Sequence, residues 1–529
     1  MSKDVTTAHR AGIDMSYRAP DLPTAVRQQL PRPHLPERPE WLELYWRSWS
    51  IAYDQIRQPA PESGLVPFCD AAFSDHIFQW DTCFMEHFLR YAPESFCATG
   101  SLDNFYRKQH DDGFICREIS SISGQDCWPK EHASATNPPL FADAEWQLYR
   151  VHGRPERLAE VFSPLVRYFD WLRLHRQAAD GQGLWTSLLG SGMDNSPRAG
   201  LERGADGDHH DDNGHAWVCM VAQQALAGHR LATIASMIGE EKEAVRLRAE
   251  AERLGTYLHG KLWHDGGFYS DRGPNGQISD IMTPAMCWPL LLPNAPAEHG
   301  AAIAECLSDE RYFWRSHAIP SLSADHALYA PHGNYWRGSV WPPMVHLAAR
   351  AMSAVGQHAL AVRIAENHLE NLAAVLEETG TLWENYAPET AAAGDISRPE
   401  FVGWTGCGSI ALLLDAVLGF DVDAPSRRIT WHLNRKDEHG VRGLPLAGDQ
   451  IDLIYEPQGP AIEVTCDHAF ELCVAPTTGS PDVRRFSGDK RPGVRRFSGE
   501  KRPGDELVFA LQAGRHRLEL GQRERGQRA

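Results

Sequence analysis

Apolar positions recur at helical spacing over most of the chain. Ala244, Leu247, Ala251, Leu254 and Leu258 step by three and four, as do Val362, Ala365, Leu369, Leu372 and Leu376. Ile410, Leu413, Leu414 and Val417 repeat the pattern, and Gly419 stands where a helix is closed by a residue in the left-handed region. After Phe420 the texture changes. Short runs rich in β-branched and aromatic residues (RITWHL, IDLIYE, AIEVTC, ELCVA, ELVFAL, HRLEL) are separated by turn signals. The pattern predicts a mainly α domain over residues 39–424 and a small all-β, sandwich-like domain over 425–522. An N-terminal extension (1–38) and a tail (523–529) flank them. Inside the β domain VRRFSGDKRPG (483–493) is followed at once by VRRFSGEKRPG (494–504), which reads as a duplicated, exposed hairpin tip or loop.

Composition narrows the class. The 529 residues are 42% hydrophobic and 23% charged, enough apolar material for a large core. A net charge of −18 disfavours nucleic acid and anionic membrane surfaces as partners. Eleven cysteines occur without a CxxC pair or a zinc spacing, so they read as reduced, largely buried thiols. Neither a secretory leader nor an 18-residue apolar run is visible, and a cytoplasmic protein, with homo-oligomerisation open, is the expectation.

Between the helices lie long loops that hold most of the unusual chemistry. Gly183–Arg198, GLWTSLLGSGMDNSPR, sets Asp194 between glycines and an Asn-Ser-Pro turn, where neighbouring side chains can fix its position. Several of the seventeen tryptophans also stand in such loops beside acids, glycine or arginine: Trp80 before Asp81, Trp128, Trp185, Trp336 and Trp341 in YWRGSVWPP, Trp383 before Glu384, and Trp404. A flat apolar face beside hydrogen-bonding groups suits a sugar ring. Glu384, in LWENYAPE, is the second acid that glycoside cleavage needs, with Tyr386 as a hydrogen-bond partner. One carboxyl protonates the leaving oxygen while the other activates water or attacks.

FQWDTCFMEHF (78–88), NPPL (137–140), SGMDNSPR (191–198), YWRGSVWPP (335–343), LWENYAPE (382–389) and FVGWTG (401–406) together resemble the ordered signatures of family-63 glycoside hydrolases and their bacterial mannosylglycerate and glucosylglycerate hydrolase relatives. The resemblance implies an (α/α)6 toroid and inverting hydrolysis of α-linked glucose or mannose from a small carbohydrate, without cofactor or metal. It makes Asp194 the general acid, held protonated, and Glu384 the general base, held ionised. Asp81 would bind sugar hydroxyls, and Trp80, Trp336, Arg337, Trp341 and Trp404 would line the pocket. Phe78, Trp128, Trp185 and Gly192 complete the expected substrate-binding set. The chain departs from these relatives at Gly190-Ser191, where they carry Glu-Ser, and at Ala199, where they often carry an aromatic residue.

Other readings compete. GADGDHHDDNGH (204–215) gathers acids and histidines, but its spacing matches no EF-hand or HExxH motif. Asp211, Asp212 or Asn213 is expected to cap the following helix instead, and 199–213 is a candidate lid. A sugar epimerase would need paired histidines, for which His317 and His326 are nominees. A non-catalytic glycan-binding protein would have no use for the Asp194/Glu384 pair.

Overall fold

The computed structural model describes residues 19–71, 75–198, 214–476, 500–501 and 507–520. The candidate lid 199–213, nearly all of the acid-histidine run and the tandem repeat apart from Glu500–Lys501 lie outside these residues.

Among the described residues eleven α-helices run in chain order: α1 (Thr24–Gln29), α2 (Pro39–Asp54), α3 (Gln79–Leu89), α4 (Ala98–Arg107), α5 (Phe141–His152), α6 (Pro155–His175), α7 (Val218–Met237), α8 (Glu241–Lys261), α9 (Ala297–Ser308), α10 (Pro342–Ala354) and α11 (His358–Thr379). They fall into two kinds. The helices α8 and α11 bury one stripe, Ala244, Leu247, Ala251, Leu254 and Leu258 in the first and Ala365, Leu369, Leu372 and Leu376 in the second, as their period predicts. Every residue of α3 is buried, and so is most of α7 and α10. A helix covered all round belongs to an inner layer, and one with a single apolar stripe to an outer layer.

Residues 407–417 depart from the expected α-helix. They form two π-helical turns, Cys407–Ala411 and Leu413–Val417, with the Leu418 N–H reaching back to the Leu413 carbonyl. The apolar positions stay buried, but on a wider spiral that spacing alone does not distinguish. Gly419, at φ +80°, then turns the chain as expected.

The β region begins at Phe420. Phe420–Asp423 and Arg428–Leu433 pair antiparallel across the 424/425 boundary. Two five-stranded sheets follow, and Arg32–His34 from the N-terminal extension forms the edge of one, paired with His439–Leu446. The short apolar runs read from the sequence do not include His439–Leu446, which carries two glycines and a proline. Gly440 and Pro445 stay in register with Ile454 and Gln450, and Gly443 falls in a bulge between Val441 and Leu444. Before Phe420 the described residues form only two-stranded antiparallel ribbons besides that edge strand. All eleven cysteines are unpaired thiols, and eight of them are buried. No helix among the described residues is long and apolar enough to cross a membrane.

Candidate active site

The motif-bearing loops gather at the N-terminal ends of the inner helices. Trp80 and Asp81 open α3, Trp217 precedes α7, Trp341 precedes α10, and Trp404 stands just before the π-helical turns. The loop that carries Asp194 is fixed on both sides. Before it, the Ser191 N–H bonds to the Ser187 carbonyl at 2.8 Å, and Gly192 takes φ +78° with the loop lying on the Trp80 indole. A Cβ at Gly192 would stand 2.3 Å from that ring, so only glycine fits.

After Asp194, the Asn195 side chain accepts from the Trp336 N–H at 2.6 Å and donates to the Asn334 carbonyl at 3.0 Å. The Asn195 carbonyl also accepts from Arg337 Nε at 3.0 Å. Asn195 thus clamps the loop to residues 334–337. Three residues further on, buried Arg198 donates to both oxygens of buried Asp271 at 2.9 and 2.7 Å. Asp271 Oδ1 also accepts the Val218 N–H at 2.9 Å, so Asp271 serves the start of α7. The helix opens after Trp217, which offers no side-chain cap; Asp211, Asp212 and Asn213, expected to cap it, lie outside the described residues.

Glu384 is 2% exposed and is held by its backbone: its N–H donates to the Arg398 carbonyl at 2.9 Å, and its carbonyl accepts from the Trp404 indole at 3.0 Å. Its carboxylate accepts from the Tyr335 hydroxyl at 3.3 Å. Tyr335, not Tyr386, is therefore its phenolic partner. The Tyr386 hydroxyl accepts the Trp383 N–H at 3.0 Å, and the Trp383 indole donates to Thr379. The sequence gives Tyr335 no mark beyond its place before Trp336. In the structure it is the residue that joins the two motifs.

Asp81, 5% exposed, completes a group of three acids. Its Oδ1 has no hydrogen-bond partner among the described residues. Burial pushes its pKa well up, the Glu384 and Asp194 charges add to this, and Arg117 opposes it. Burial likewise raises Glu384 to about 8, with the Asp194 charge adding to the rise, while Arg398 and the Tyr335 hydrogen bond pull it down. Asp194 itself is only half-buried. Glu384 is thus the more enclosed of the pair, and its raised pKa runs against the expectation that it rests as an anion. Asp194 and Asn195 keep partial exposure within a mostly buried loop, whereas Glu384 is held by Tyr335 at its carboxylate and by Trp404 at its carbonyl.

Four of the expected tryptophans form one wall. Trp336 and Trp341 stack with centroids 4.0 Å apart and planes at 4°, while Trp80 and Trp404 close on them at 6.0 and 5.4 Å. Trp336 and Trp341 are 1% and 0% exposed, so their facing surfaces are spent on each other. Phe78 lies on a short strand paired with Glu118. Trp128 donates to Glu118 at 2.6 Å and has Arg117 over its ring, which links it to Asp81 through that arginine. Trp185 packs under Arg176, 4.4 Å from its centroid, and has no ring contact with the four-tryptophan wall among the described residues. His317 is fully buried and pairs with His368 at 2.7 Å rather than with His326. Ligand atoms of His76, Glu118 and Cys127 lie within 4.8 Å of one another, but His76 and Glu118 already share a 2.6 Å hydrogen bond.

An uncharacterized protein of Borreliella burgdorferi is 22% identical over 396 residues, covering 72% of this chain and 80% of that one. The mannosyl-oligosaccharide glucosidase of Saccharomyces cerevisiae is 20% identical over 314 residues, half of this chain and 36% of that protein. The crystal structure of a GH63 mannosylglycerate hydrolase from Thermus thermophilus with glucose superposes at TM-score 0.55 and 19% identity, over 70% of this chain and 99% of that one. That likeness establishes a shared fold. Residues 74–409, more than half of the chain, match the mannosylglycerate hydrolase MGH1-like glycoside hydrolase domain, and the chain therefore belongs to this family-63-related group of glycosidases.

Proposed function

We propose that the protein hydrolyses an α-linked glucose or mannose from a small glycoside or oligosaccharide with inversion at the anomeric carbon, on helices closed into an (α/α)6 toroid. The observation that carries this reading is the meeting of Asp81, Asp194 and Glu384 beside the tryptophan wall, close enough for each charge to shift its neighbours. Asp194 protonates the leaving oxygen. Glu384 takes a proton from the water whose oxygen bonds to the anomeric carbon as the glycosidic bond breaks. The two carboxyls end with one proton exchanged between them, and bulk water restores both. Tyr335 and Arg398 favour the anionic form of Glu384 that this role requires. The unpartnered Asp81 Oδ1 is suited to accepting from sugar hydroxyls.

The identity of the sugar rests on the relatives, one a mannosylglycerate hydrolase and one a glucosidase. A panel of kojibiose, nigerose, trehalose, glucosylglycerate and mannosylglycerate, read by released monosaccharide, tests the proposal. At least one should be cleaved by the wild type and left intact by Asp194→Asn and Glu384→Gln. Undiminished cleavage by either variant would remove that residue from the reaction.

A further inference from the structure

The inner helices have a second end, where a half-open cavity of about 330 Å³ lies between the helical layer and the β region. That volume lies at the lower end of small-ligand sites. The last turn of α3 supplies His87, its C-cap supplies Arg90, and α10 supplies His346 and Arg350. Asp81 and Trp341 stand at the opposite ends of these same two helices. The Phe420–Asp423 strand and Asn434 close the other side.

The wall has more positive charge than negative. Arg90 pairs with Asp415 at 2.5 Å and Arg150 with Asp421 at 2.9 Å, while Arg230 and Arg350 share Asp143 at 3.1 and 3.0 Å. Four guanidiniums thus face three carboxylates. The wall also has unused donors. Arg350 donates to His87 Nε2 at 3.2 Å, which fixes the neutral ring with its proton on Nδ1, and that Nδ1 has no partner. Both ring nitrogens of His346 and the Nε of Arg90 are likewise buried without a partner among the described residues. Burial and the neighbouring guanidiniums hold both imidazoles neutral, so the surplus of positive charge is that of the arginines. Asn434 Oδ1 is a buried acceptor that lacks a donor. These atoms are shielded from the cavity itself, and the groups open to a ligand are the partly exposed guanidiniums of Arg150, Arg230 and Arg350.

We propose that this cavity is a binding site for a phosphate group, free or as a small phosphomonoester, separate from the sugar site. Phosphate oxygens answer the guanidinium surplus. Because both layers line the cavity, the bound anion ties the β region to the helices. Calorimetry and thermal melting at constant ionic strength, with inorganic phosphate, glycerol phosphate and chloride in separate arms, test the site. Phosphate or its ester should bind saturably and raise Tm with concentration, while chloride should do neither. Phosphate binding should weaken at least tenfold in Arg350→Gln. It should also weaken in Ser353→Phe, which fills the cavity from α10 without touching its charges. Absence of saturable binding would overturn the proposal. So would wild-type affinity in both folded wall variants, or binding lost in Asp194→Asn and kept in them, which would move the anion to the sugar site.

Discussion

The Tyr335 hydroxyl donates to Glu384 across 3.3 Å, from a residue held at φ +56°. A left-handed tyrosine is a costly conformation, kept because the Asn195 clamp on one side and the Trp341 ring on the other fix this turn. Tyr335 thereby joins the Asp194 loop to the base. Tyr335→Phe removes a hydrogen bond that favours the anion, so the Glu384 pKa should rise above about 8. The limb of the kcat/KM profile that Glu384 ionisation sets should move upward with it, and kcat should fall about tenfold, the lower range for a hydrogen bond to a charged group. An unmoved limb would detach Tyr335 from Glu384.

Glu384 should also be visible in stability. Its pKa in the folded chain is about 8, against an ordinary 4.5. Between those values the native state keeps a proton that the unfolded chain releases, so its contribution to stability falls as pH rises through the window. Glu384→Gln is neutral throughout. It should melt near the wild-type temperature at pH 4.5 and progressively above it toward pH 8, by up to about 1 kcal/mol per pH unit. A pH-independent difference would mean that Glu384 is not held protonated by its burial.

Asp81 is expected to hold substrate through its unpartnered oxygen. A sugar hydroxyl on a carboxylate contributes about 1.5–3 kcal/mol. Asp81→Asn should therefore lower kcat/KM by tenfold or more while the chain stays folded by circular dichroism. Unchanged kcat/KM would place Asp81 outside the sugar site.

Local pattern made the class of fold legible, because the stripes of α8 and α11 and the alternation of Arg428–Leu433 are properties of a few adjacent residues. The acids and tryptophans of the site were legible as motifs. Their partners were not. Arg198 meets Asp271, Asn195 meets Trp336 and Tyr335 meets Glu384 across separations of 49 to 141 residues. No local spacing encodes such contacts. The protonation of Glu384 is hidden from the sequence for the same reason, since Tyr335 and Trp404 reach it from elsewhere in the chain. The π-helical turns and the bulged strand were missed because glycine, proline and apolar spacing fit more than one backbone path.

The central claim is inversion by the Asp194 and Glu384 pair, and the most direct measurement is proton NMR of the sugar as it is released. An α-linked substrate from the cleaved panel should yield the β-anomer first, with the α-anomer appearing later at the rate of mutarotation. A glycosyl fluoride, which needs little protonation to leave, should restore turnover in Asp194→Asn more than in Glu384→Gln. The α-anomer appearing first would contradict the account and make Glu384 a nucleophile instead of a base.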